Sequence, residues 1–128
     1  MKYLLMIHMF LLSLLAQDIY LISNKGLKAN SSEIKKLFFK KTEYLSGEKY
    51  KIISNEEAIE LFSRKAFGIS AKKLSKKWIK QNFRKGMPFP KEFKDDKATI
   101  EWIKTNDNTL GFVKNKPNGV HIIYTFSE

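Results

Sequence analysis

Short apolar runs alternate along this chain with lysine-backed amphipathic segments, and that alternation restricts it to a sheet covered by helices. The first run, Asp18 to Ser23 (DIYLIS), stops at Asn24-Lys25-Gly26 and reads as a buried strand followed by a turn. Asn30-Ser31-Ser32-Glu33 then opens a helix, with Asn30 or Ser31 as the cap and acid in the first turn. Ile34, Leu37 and Phe38 share one face of it, lysines take the other, and it ends near Lys41. Ser46-Gly47 is a turn, and Tyr50 to Ile53 is a second strand. Ser54-Asn55-Glu56-Glu57 is another capped start, for a helix that turns Ile59, Leu61, Phe62 and Ala66 to the core and stops at Gly68. Ser70 caps a third helix, with Leu74, Trp78 and Ile79 inward.

Phe83 to Phe89 (FRKGMPF), with Pro90 after it, cannot be regular helix and reads as a loop. Lys94-Asp95-Asp96 opens a fourth helix, in which Ile100, Trp102 and Ile103 alternate with charge. Thr109 to Val113 is a strand carrying a glycine, Asn115 to Gly119 a turn, and Val120 to Phe126 the last strand. The order β-α-β-α-α-α-β-β describes an α/β domain with a mixed central sheet. Its last two strands are close enough in sequence to form a hairpin.

The N-terminus carries a different pattern. Met1-Lys2, an apolar run from Tyr3 to Leu15, and Ala16 make the three parts of a secretory signal peptide. Leu14 and Ala16 fit the −3 and −1 positions, which puts the cut after Ala16 or one residue later. A spanning helix needs about 20 apolar residues, and Asp18 closes this run too early. Residues 1–16 are therefore expected to be a signal peptide and residues 17–128 one domain. The protein is expected to be exported, to the periplasm or beyond the cell.

The chain has no cysteine, which excludes disulfides, thiol chemistry and cysteine metal sites. Against 13 Asp+Glu stand 24 Lys+Arg, a formal net charge of +11. Such a balance suits an acidic partner, or lysines that coat helix faces for solubility. Only Arg64 and Arg84 are arginine, and arginine forks are what phosphate and base recognition lean on, so nucleic acid is not the expected partner. His121 lies in a strand with no nucleophile signature near it. There is neither a GxxxxGK loop nor a GxSxG elbow. Glu56-Glu57 and Asp95-Asp96 fall at helix starts, where the helix dipole accounts for them. No catalytic residue, cofactor or metal is expected, and the chain reads as a non-enzyme.

Three places could donate to a ligand. Asn24 and Lys25 follow a strand's carboxyl end, where open α/β sheets take ligands, or form a solvated turn. Ser54 and Asn55 could donate to an anion at a helix N-terminus or serve as an ordinary cap. Arg84, Lys85 and Gly86 join two cations to a glycine in a loop, offering charge and backbone N–H groups to an anion. The alternative for that loop is a segment tied down by Phe83, Met87, Phe89 and Pro90. Lys72, Lys73, Lys76 and Lys77 line one helix, as a grip for a polyanion or as a solvated face.

Several segments in order resemble one family. They are Ser23-Asn24-Lys25 after the first strand, Glu33 to Lys41 (EIKKLFFKK) followed by Tyr44-Leu45-Ser46-Gly47, Phe62 to Ser70 (FSRKAFGIS), Leu74 to Pro90, and Ile100 to Val113 (IEWIKTNDNTLGFV). In sequence and spacing they are similar to the small domains related to the phosphate ABC importer's substrate-binding protein, of the type II periplasmic binding-protein fold. The resemblance implies a single lobe of that fold. It also implies an exported binding protein for phosphate or another small anion, with a transporter or envelope protein as a further partner. In that family a serine-glycine-threonine loop follows a strand. Here the matching place is Ile53-Ser54-Asn55-Glu56-Glu57, which keeps Ser54 and Asn55 and has two acids in place of the glycine and threonine. Two alternatives follow: an envelope interaction or structural protein that kept the fold and lost its ligand, or a basic polyanion-binding protein.

Overall fold

The computed structural model describes residues 17–127; the signal peptide expected at residues 1–16 lies outside them. The elements are β1 (Ile19–Ser23), α1 (Ser31–Phe38), β2 (Tyr44–Leu45), β3 (Glu48–Lys49), β4 (Lys51–Asn55), α2 (Ile59–Phe67), α3 (Ala71–Lys85), β5 (Lys91–Phe93), α4 (Asp96–Thr105), β6 (Thr109–Val113) and β7 (His121–Phe126). The small β2–β3 hairpin and the edge strand β5 add to the expected order.

Five strands form the main sheet in the order β5-β4-β6-β1-β7. β4 runs parallel to β5 and β6, while β1 is antiparallel to both β6 and β7. The expected β6–β7 hairpin does not form, because β1 lies between them. The reason is burial: Ile19, Leu21 and Ile22 are fully buried, so β1 is apolar on both faces and needs a strand on each side. β7 starts with exposed His121 and Ile122 and suits an edge.

Alternation along the strands sorts the core into two layers. Ile19, Leu21, Ile52, Leu110 and Phe112 face α1, α2 and α3. There the Phe62 ring stacks on Phe112 with centroids 4.0 Å apart, and Phe38 meets Phe62 edge-on at 4.8 Å. The Trp78 indole N–H donates to the Phe38 carbonyl at 2.6 Å, tying α3 to α1. On the other face Ile22, Ile53 and Val113 meet Ile103 of α4. Gly111 permits that approach: a Cβ there would stand 3.0 Å from both Ile103 Cδ1 and Ile53 Cγ1.

Local chemistry sets the helix ends. Asn30 and Glu33 exchange side-chain and backbone hydrogen bonds in a capping box, Ser70 accepts from the Lys73 N–H, and Gly68 ends α2 at φ 68°. Three expectations need correction. Ser54 and Asn55 do not cap a helix; they lie in β4, and α2 begins at Ile59 after an Ala58 cap that makes no side-chain bond. Arg84 and Lys85 are the last turn of α3, not a loop, because the first proline comes only at Pro88; Gly86 (φ 66°) ends the helix. Ile79 is exposed, since Trp78 fills the inward direction and the next residue lies about 100° around the helix. Among the described residues no helix is long and apolar enough to cross a membrane.

Candidate functional site

The carboxyl ends of β4, β5 and β6 lie together, at the end of the sheet where α/β folds ordinarily take ligands. Here that end is closed by the chain's own side chains. Asn55 is fully buried; its Nδ2 donates to Asp96 Oδ1 (2.8 Å) and to the Phe112 carbonyl (3.1 Å). Its Oδ1 accepts from the Glu57 N–H at 3.2 Å. The Asp96 carboxylate also accepts from the backbone N–H groups of Lys114 (3.3 Å) and Asn115 (3.0 Å), and from Asn115 Nδ2 (3.0 Å). An ion pair between Lys114 and Glu57 completes the network. The donors an incoming anion would use are thus already taken by a resident carboxylate. Ser54, one residue before Asn55, is buried, and its Oγ has no hydrogen-bond partner among the described residues.

Asn24 and Lys25 leave β1 at the opposite end of the sheet, because β1 runs antiparallel to β6. Asn24 Nδ2 donates to Asp107 Oδ1, and Lys25 Nζ pairs with Glu48 Oε2 at 2.9 Å. That hydrogen bond raises the Lys25 ammonium above its ordinary range and holds Glu48 below its own.

At this amino end of the parallel strands a cleft of about 710 Å³ opens beside β4. Its walls come from the chain just after α1, the β3–β4 segment, the α3–β5 connection, the end of α4 and the turn before β6. Lys40, Lys49, Lys51, Lys85 and Lys91 line it against only Glu43 and Asp107 as acids. Tyr50, Phe89 and Trp102 supply apolar surface, and Lys91 Nζ sits 3.9 Å above the Trp102 ring. Lys85 and Gly86 therefore share the cleft, whereas Arg84 is exposed and outside its lining. Asn24 holds one wall residue, Asp107, in place. Ser54 and Asn55 stand at the other end of the sheet, so the candidates do not converge on one point.

Lys40 is the residue that sequence reasoning missed. It is only 6% exposed, although it is a lysine. It follows the Phe39 cap of α1 at φ 59°, in the left-handed position where a helix usually places glycine. Burial pushes its ammonium below the ordinary lysine range, against the attraction of Glu43. Among the described residues it makes no salt bridge. A largely buried lysine thus lines the cleft, its charge opposed by burial and supported by Glu43. The sequence carries no local signal for it, since lysines of the same kind flank it on both sides.

No protein-family model matches the chain, and no curated protein matches it. Among solved structures it is similar to a protein from Clostridium perfringens, assigned as a phosphate ABC transporter substrate-binding protein and crystallised with bound phosphate. The TM-score is 0.60 at 16% identity, over 85% of this chain and 45% of that one. The chain spans less than half the length of the protein it matches. At that identity the likeness carries the fold alone: a mixed α/β domain similar to part of that protein and consistent with a single lobe of its fold.

Proposed function

We propose that the chain is an exported, non-catalytic binding protein whose ligand is a small anion, phosphate or one of similar charge, held in the lysine-lined cleft beside β4. The observation that carries this reading is Lys40, largely buried, in no ion pair among the described residues and placed in a left-handed backbone conformation at the cleft wall. An anion there would add to the counter-charge that Glu43 supplies. Lysines act as point charges and lack a bidentate fork, so selection would rest on charge and shape more than on directed hydrogen bonds. Export is supported by the leader pattern at Met1 to Ala16, and binding by the fold shared with a phosphate-bound protein.

Titration calorimetry with phosphate, sulfate and small organic phosphates tests it. Heat of binding is expected for the wild-type chain and its loss for Lys40→Met. Ser54→Ala, at the other end of the sheet, should leave binding unchanged. No response to any of these anions at millimolar concentration would remove the reading. The Asp96 network at the carboxyl end favours a second one: a lobe that kept the fold, lost its ligand and serves a protein partner of the cell envelope. Crosslinking in whole cells should then trap the chain on that partner, and recovery of free monomer alone counts against it.

A further inference from the structure

The outward side of α3 differs from an ordinary solvated helix face. Ile79 and Phe83 stand one turn apart on it, 55% and 90% exposed, while Leu74 and Trp78 occupy the buried side. Phe83 is the most exposed large apolar side chain among the described residues. Lys72, Lys76 and Lys80 fall on the same side at i, i+4 spacing. From Ala71 to Lys85 the helix carries seven cations and no acid. Its exposed surface therefore combines apolar tips with a single sign of charge.

We propose that this face of α3 docks on an anionic lipid surface, with Ile79 and Phe83 entering the boundary between headgroups and acyl chains. Lys72, Lys76 and Lys80 lie at the headgroups, their stems along the apolar boundary and their ammonium groups on the lipid phosphates. Charge complementarity selects an anionic partner. The composition of the face favours lipid over nucleic acid, because it presents a single ring, Phe83, where single-strand binding uses a series of them, and lysines where base readout favours arginine. The same helix ends at Lys85 and Gly86, which also line the cleft.

The chain has no native cysteine, so Lys76→Cys puts one environment-sensitive dye on this face and keeps both apolar residues. With phosphatidylglycerol vesicles and the full chain, a blue shift and about threefold brightening are expected; phosphatidylcholine vesicles should give neither. A dye at Lys97→Cys, on α4 across the sheet, should not respond, which separates docking of this face from anchoring by the apolar N-terminus. Adding Ile79→Ser and Phe83→Ser should weaken the vesicle response about tenfold with the thermal midpoint unchanged, since both side chains are exposed. Silence at position 76, an equal response at 97, or a response indifferent to the serine pair would each overturn the proposal. So would a stronger response to duplex DNA than to vesicles, which would make the face a polyanion grip.

Discussion

Lys40 concentrates the conflict between stability and binding in one side chain. Burial of this cation opposes folding, the attraction of Glu43 offsets part of that cost, and the left-handed backbone adds to it. Lys40→Met should therefore stabilise the protein by about 1 kcal/mol in urea unfolding, although it removes anion binding. A variant that loses stability instead would show that Lys40 has found compensation. The pH dependence has a definite sign. The folded-state pKa lies below the unfolded value of 10.5, so between the two the unfolded chain binds more protons. Stability contributed by this site rises as pH increases through that window, and Lys40→Met should flatten the rise. Over the same window anion affinity should fall, and should begin to fall at a lower pH than titration of the exposed lysines would produce.

At the scale of elements, caps and strands were legible because their chemistry is local. Asn30 with Glu33, Gly68 and Ser70 mark helix ends by residue type alone, and strands such as Thr109 to Val113 show as short apolar runs. The β2–β3 hairpin has two residues in each strand and β5 has three, too few for a period to show. Ser54 and Asn55 have the residue types of a cap, yet tertiary pairing with β5 keeps them in a strand. Nothing local marks Lys40 as buried, since its neighbours Lys35, Lys36 and Lys41 are exposed lysines of the same kind. Gly111 did show as a glycine inside a strand, and its reason is the seat of α4. Gly111→Val should cost about 1–3 kcal/mol by overpacking against Ile53 and Ile103, read as a lowered thermal midpoint. Asp96→Ala should cost about 2 kcal/mol, because it strips an acceptor from the buried Asn55 amide and from two backbone N–H groups. A neutral result would mean that water replaces the carboxylate there.

For the whole molecule, fold class followed from the strand–helix alternation, but the order of strands did not, because β1 pairs with partners at the far end of the chain. The candidate site was legible only in part for the same reason. Lys85 and Gly86 reach the cleft, whereas the antiparallel course of β1 sends Asn24 and Lys25 away from Ser54 and Asn55. A chain beginning at Gln17 should unfold at the same temperature as the full chain if residues 1–16 serve only as a leader. A chain beginning at Asn24 should show no cooperative transition, since it lacks β1. Circular dichroism melts of both chains provide the check.

The position of β1 has a further consequence, for the order of events during synthesis. The first strand of the domain finds its neighbours in Gly111 to Val113 and His121 to Phe126, about ninety to a hundred residues later, so the sheet cannot close until both of those strands have left the ribosome. Until then the nascent chain has no finished sheet on which to complete its fold.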